Sequence, residues 1–302
     1  MKEFKLESDR LSRRNFLKLT ATGTVAAIGS RSEILGRYSG PETAIPIALQ
    51  LYSVRNDCAK DFDRATAQVA EMGFQGVEFA GYYRYGDDPK ALRRHLDGLG
   101  LKVAGTHIQT AALRGEELPK TIEFHKTIGC KYLIVPGDRA FTDPEKCQAL
   151  ADTFNTAAAA LKPEGMYCGY HNHKGEFARH QGKTFWELFA GRTAEDVVLQ
   201  LDIGWAQDAG VDPVKEIRKY PGRTRTAHFK PTVLEGDEGR TAILGRDSVD
   251  WRSVIQACRE SGGTEWFIIE QEYYPDGKTP MECSRLSLQG LNGILKRMTS
   301  SP

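Results

Sequence analysis

From Ile45 onward, short apolar runs of strand length alternate with amphipathic segments of helical length, and the alternation repeats eight times. The runs read "IPIALQLYSV", "GVEFAG", "KVAGTHIQ", "YLIVPG", "YCGYHNH", "VVLQLDIG", "RTAHFKP" and "WFIIEQE". Between them, apolar residues at helical spacing predict helices over Phe62 to Met72, Pro89 to Leu99, Leu118 to Ile128 and Pro144 to Leu161. The "TFWELFAG" segment, a start at Pro213, Trp251 to Glu260 and Met281 to Met298 supply the other four. Strands that alternate with helices pack as a parallel sheet covered by helices. About 258 residues carry the eight repeats, close to the roughly 250 of a (β/α)8 TIM barrel, which is the fold expected for residues 45–300. A doubly wound sheet is the alternative, but it wants a Gly-rich phosphate turn after an early strand, and this sequence has none.

Charge narrows the function. The net charge is +1, and the first thirty residues hold six Lys/Arg against three Asp/Glu. The rest is therefore slightly acidic, which argues against a nucleic-acid partner, whose footprint is a basic face. Six cysteines stand singly with no C-x-x-C pair, so neither a zinc ribbon nor a disulfide framework is expected.

Residues 1–30 have the plan of a twin-arginine signal peptide. Ser12-Arg13-Arg14-Asn15-Phe16-Leu17-Lys18 precedes a mildly apolar stretch from Leu19 to Ile28, then small residues near Ala26 to Ser30. That stretch is too short and too polar to span a bilayer, and no other segment is apolar enough. The expected location is the periplasm, with residues 31–44 as a linker.

The chemistry centres on "GYHNH". Two imidazoles two residues apart on a strand, His171 and His173, point to one face. Later strands end in Asp202, His228 and Glu270, with Glu272 two residues further on. His, Asp, His and Glu at four successive strand ends make a divalent metal site. An acid behind "VVLQL" is costly to bury unpaired, although Asp202 has the alternative of capping the turn at Gly204. His171 is preferred to His173 as the ligand, and Glu270 to Glu272. The mixed N/O set suits one Mn²⁺, Zn²⁺, Co²⁺ or Fe²⁺ ion, with Mg²⁺ also possible, and donor softness does not choose among them. Glu78 and His107 end the second and third strands and are expected to look into the same mouth, Glu78 having an ion pair with Arg55 as its alternative. Gln50, Tyr52, Trp205, Lys230 and the Tyr82-Tyr83 pair are expected to supply hydrogen bonds and an apolar wall for a carbohydrate.

Taken in order, "LQLYSVR", "GVEFAG", "GTHI", "YHNH", "LDIGWAQDAG", "AHFKP" and "IEQE" resemble the xylose-isomerase-like barrel family of sugar isomerases and epimerases. The resemblance covers essentially all of the chain after the linker. It implies one divalent metal held by Glu, Asp, His and Glu from the last four strands. Asp202, His228 and Glu270 match, whereas the fifth strand offers His171, Asn172 and His173 where Glu is usual. Trp205 stands where the epimerases commonly have a His, and Lys230 is the nearest cation to an expected Arg. The activity implied is isomerisation or epimerisation of a sugar or keto-sugar through an enediolate. Glu270, His173, Glu78 and His107 are the candidates for moving protons. Loss of a β-substituent from the same enediolate, for example on a 3-keto-glycoside, would make a lyase or hydratase instead. A non-catalytic sugar-binding barrel and an abasic-site endonuclease are the remaining readings.

Overall fold

The computed structural model describes residues 45–300, so the expected signal segment and linker lie outside the described residues. Eight parallel strands close into a barrel: β1 (Ile47–Gln50), β2 (Gly76–Phe79), β3 (Lys102–His107), β4 (Tyr132–Val135), β5 (Tyr167–His171), β6 (Val198–Asp202), β7 (Thr226–Phe229) and β8 (Trp266–Ile269). Each strand pairs with its sequence neighbours, and β8 closes on β1 in the register Ile47 to Phe267. The expected fold is the observed one.

Eight main helices wrap the barrel: α1 (Phe62–Glu71), α2 (Pro89–Leu99), α3 (Glu117–Ile128), α4 (Cys147–Leu161), α5 (Phe185–Arg192), α6 (Pro213–Lys219), α7 (Trp251–Ala257) and α8 (Pro280–Ser300). Their starts follow from capping chemistry. Asp61, Asp88, Asp212 and Asp250 each accept a backbone N–H of the first turn, and Thr184 and Glu187 form a reciprocal capping box on α5. Pro89 and Pro213 occupy first-turn positions, where a missing N–H costs nothing.

Several boundaries differ from the sequence reading. Helix α4 starts at Cys147 because Asp143 to Lys146 form a tight turn first. Helix α7 ends at Ala257 and runs into a π-turn over Cys258–Gly262. Strand β5 stops at His171, leaving Asn172 and His173 in the following turn. A two-stranded hairpin, Arg179–His180 with Lys183–Thr184, was not expected. Its tip is Gln181-Gly182, both with positive φ, as tight hairpin turns demand.

The barrel interior is layered. Ala48, Ala104, Tyr132, Ile134, Val198, Trp266 and Ile268 pack together as an apolar plug. Moving two residues along β1, β6 and β8 from Ala48, Val198 and Ile268 reaches Gln50, Gln200 and Glu270, because inward side chains recur with period two. Strand β3 carries one extra residue against Val77 and Glu78 of β2. This bulge resets its alternation, which is how such irregularities re-aim side chains near a site. All six cysteines are buried and free. Among the described residues, no helix is long and apolar enough to cross a membrane.

Candidate metal centre

His171, Asp202, His228 and Glu270 converge at the C-terminal mouth of the barrel, with one donor atom of each within 4.8 Å of the others. His171 Nε2 and His228 Nδ1 each lie 3.9 Å from Asp202 Oδ2, and His228 Nδ1 lies 3.2 Å from Glu270 Oε2. Ligand bonds of roughly 2.0–2.2 Å let atoms at these separations share one ion. Asp202 makes the strongest case. Its Oδ1 accepts the Trp205 N–H at 2.8 Å and caps the short helix Ile203–Asp208. Its Oδ2 is buried and has no hydrogen-bond partner, although a buried polar atom normally has one. A cation among these four donors would satisfy it. The residues therefore fit a divalent metal, and Asp202 both caps and faces the cluster.

A polar floor fixes the two imidazoles. His171 Nδ1 is 3.1 Å from Gln200 Oε1, and His228 Nε2 bonds Glu78 Oε2. With those nitrogens donating, His171 Nε2 and His228 Nδ1 keep their lone pairs for the cluster. Glu78 also accepts from Gln50 Nε2 and Gln200 Nε2, each at 2.8 Å, and His107 Nε2 is 3.3 Å away. Glu78 and Gln50 are fully buried. Glu78 thus lies beneath the cluster and not at the open mouth where it was expected, and the Gln50 amide, expected to meet a carbohydrate, is spent on Glu78. No Glu78–Arg55 pair forms. Arg55 instead donates to the Tyr52 carbonyl and stacks over the Tyr52 ring.

Charge is concentrated here. Burial would raise Glu78 and Glu270, but neighbouring basic groups overcome it and hold both carboxyls low: His107 and His228 for the first, Lys230 and His228 for the second. Burial pushes Asp202 up to about 7, with Lys230 opposing. His171 falls well below its usual range through burial beside other imidazoles. His228 goes the other way, to about 10, because Glu78 and Glu270 outweigh the cost of burial, so a metal at its Nδ1 would bind in exchange for a proton.

The rim is built differently. Asn172 clasps the backbone of Asp202 with both ends of its amide, accepting at 2.8 Å and donating at 3.3 Å. The turn then carries His173 to an exposed position 5.0 Å, ring to ring, from His171, and buried Glu176 accepts the His173 N–H at 2.8 Å. Although exposed, the His173 ring is desolvated enough by the cluster to lower its pKa, with Glu270 opposing. Lys230 is buried, with Nζ 3.6 Å from Glu270, in ion-pair contact with Glu272, and 4.7 Å from the Trp205 ring. Gly204 permits this packing, since a β-carbon there would come within 2.6 Å of the Lys230 carbonyl. Tyr82 turns away from the mouth to bond Thr106 and His125, and Tyr83 is exposed. Gln200 and Glu176 were not singled out from the sequence.

Fold and site define a TIM barrel whose C-terminal mouth carries a cluster able to hold a divalent cation. The xylose isomerase-like TIM barrel family model matches residues 66–290, and the chain belongs to that family. An inosose dehydratase of Bacillus licheniformis is 26% identical over 256 residues, covering 72% of this chain and 82% of the relative. A sugar phosphate isomerase/epimerase structure from Parabacteroides distasonis superposes with TM-score 0.68 at 24% identity, over 83% of this chain and 95% of that one. The structure of IOLI protein with a bound zinc atom superposes with TM-score 0.62 at 14% identity, over 85% of this chain and all of that one.

Proposed function

We propose that this protein is a metal-dependent lyase that removes water from a polyhydroxylated cyclic ketone such as an inosose or keto-sugar. One observation carries the reading. His173 and Lys230 both pack around Trp205, at 5.6 Å ring to ring and 4.7 Å respectively. The proton acceptor and the proton-bearing cation therefore share one side of the cluster. Elimination across adjacent carbons can use two groups on one face, whereas epimerisation needs proton carriers on opposite faces. The fifth-strand carboxylate that would complete an opposed pair is replaced here by His171. The inosose dehydratase relatives point the same way.

His171, Asp202, His228 and Glu270 would hold the metal; the zinc in the IOLI structure is consistent with such a centre. When bound, a divalent ion supplies Lewis-acid polarisation of the ketone. His173, neutral at ordinary pH, removes the proton from the carbon next to the carbonyl. That C–H electron pair becomes the new C=C bond, and the β-carbon–oxygen bond breaks. Lys230 donates a proton to the departing hydroxyl, which leaves as water. Trp205 packs against both groups and holds them on the same side of the cluster. The isomerase or epimerase reading keeps the same ligands but lacks this opposed pair. We also propose export by the twin-arginine route, on the strength of Arg13 and Arg14.

The test is incubation of metal-loaded protein with an inosose and keto-sugar panel in D₂O, followed by NMR. Appearance of the unsaturated ketone is expected. Deuterium exchange with inversion and no loss of water would overturn the lyase reading in favour of epimerisation.

A further inference from the structure

A cavity of about 220 Å³ adjoins the metal cluster and shares Trp205 and Lys230 with it. Its other walls include Pro231, Val233, Ala242 and Tyr273. A cavity of about 150 Å³ is enough to hold benzene, so this one has room for a single ring. Two charged residues line it, and each is already paired: Asp208 with Lys174 at 3.1 Å, and Lys230 with Glu270 and Glu272. The cavity thus offers no spare cation for a phosphate. The Trp205 indole N–H is buried without an acceptor, so one hydrogen-bond donor beside it stands unused.

The lining mixes apolar walls with Thr232 and the two paired charges, and it is preformed. Val233 and Tyr273 are 39% and 55% exposed, and the other large exposed hydrophobics among the described residues are Tyr52 and Tyr83. These four follow β7, β8, β1 and β2, which are neighbours around the barrel. Val233 and Tyr273 both line the cavity, and exposed apolar side chains gathered at a pocket mark a binding site. Gln271 Nε2 donates to the Ala242 carbonyl at 2.7 Å, and Ser287 Oγ accepts the Leu244 N–H at 3.2 Å, so the cavity's outer loop is anchored.

We propose that this cavity is a second substrate subsite, which takes an uncharged apolar or aromatic substituent joined to the keto-sugar ring through a glycosidic oxygen. The proposal rests on the keto-sugar reading for the ring at the metal. It makes the natural substrate a two-part glycoside rather than a free monocyclic ketone or a sugar phosphate.

The test is calorimetric titration of the metal-loaded protein with phenyl β-D-glucoside and methyl β-D-glucoside, neither of which carries the reactive ketone. The phenyl compound should bind at least about tenfold more tightly, the scale expected for burying one aromatic ring. Ala242→Trp fills the cavity and should erase that preference while the metal stoichiometry holds. Tyr273→Ala, a milder change, should reduce it several-fold and serves if the larger side chain disturbs folding. Equal affinities in the unaltered protein, no binding of the phenyl compound at millimolar concentration, or a preference that survives Ala242→Trp would each overturn the subsite. Dehydration is measured on the same preparation, both of an unsubstituted inosose and of the 3-keto derivative of the phenyl glucoside. Its presence without a phenyl preference overturns the subsite alone. Its absence with a phenyl preference overturns the lyase reading and supports the subsite.

Discussion

Gln200 Oε1 lies 3.1 Å from His171 Nδ1 and 3.0 Å from His107 Nε2, so one side-chain carbonyl accepts from two imidazoles. Its amide nitrogen donates to Glu78 and Thr226, each at 2.8 Å. A histidine in place of the usual fifth-strand carboxylate needs its tautomer fixed, and Gln200 does this. Gln200→Leu should lower metal affinity by roughly 10- to 100-fold, the usual effect of losing a group that orients a ligand. Competition with a chromogenic chelator reads this directly; unchanged affinity would mean that His171 needs no such support.

Asp202→Asn keeps an oxygen to cap the helix at Ile203 but removes the charge that faces the cluster. The variant should stay folded by circular dichroism and lose its metal on dialysis. His228→Ala should do the same. Full metal occupancy in both variants would sink the ligand assignment.

His173 and His171 should separate cleanly. His173→Gln removes a rim imidazole and should retain metal while turnover drops by about 10²-fold or more, as for loss of a general base. His171→Gln should lose metal and activity together. The opposite pattern would exchange the two roles.

His125 gives a pH signature away from the metal. Its ring is buried between the Thr121 carbonyl and the Tyr82 hydroxyl, and burial lowers its pKa to about 4 from 6.5. The folded state therefore favours neutral His125. Its contribution is fully present above about pH 6.5 and is lost as pH falls toward 4, by about 3 kcal/mol in all. Urea denaturation between pH 7 and 5 should show a shallower loss in His125→Gln than in the unaltered protein. Parallel slopes would contradict this.

Replacing both Arg13 and Arg14 by Lys should leave an uncleaved precursor in the cytoplasm. Cell fractionation checks it, and unaffected export would rule out the twin-arginine route.

The barrel was legible because strand and helix periods differ, and because ionisable residues behind runs such as "VVLQL" and "WFII" had to lie at strand ends. Depth was not legible. Gln50, Glu78 and Gln200 share a face with the expected ligands, but periodicity gives direction and not height along the barrel axis. Glu78 was placed at the mouth for that reason, whereas it serves as the floor beneath His228. Tyr82 lies in an irregular segment after β2, where no period says which way a ring points. The hairpin at Gln181-Gly182 was missed because Gln is an unusual residue at positive φ.

Helix α8 crosses the loop that carries Ala242 at Gly290, where a β-carbon would run into the carbonyl oxygen of Leu244. The bare backbone at Gly290 lets that loop close down on the cavity's outer side. A side chain at Gly290 would have to displace that loop, whereas none of the four metal ligands lies on the loop or on α8. On the subsite reading, selectivity for the substituent would be adjustable at this outer wall, from a position that carries no metal ligand.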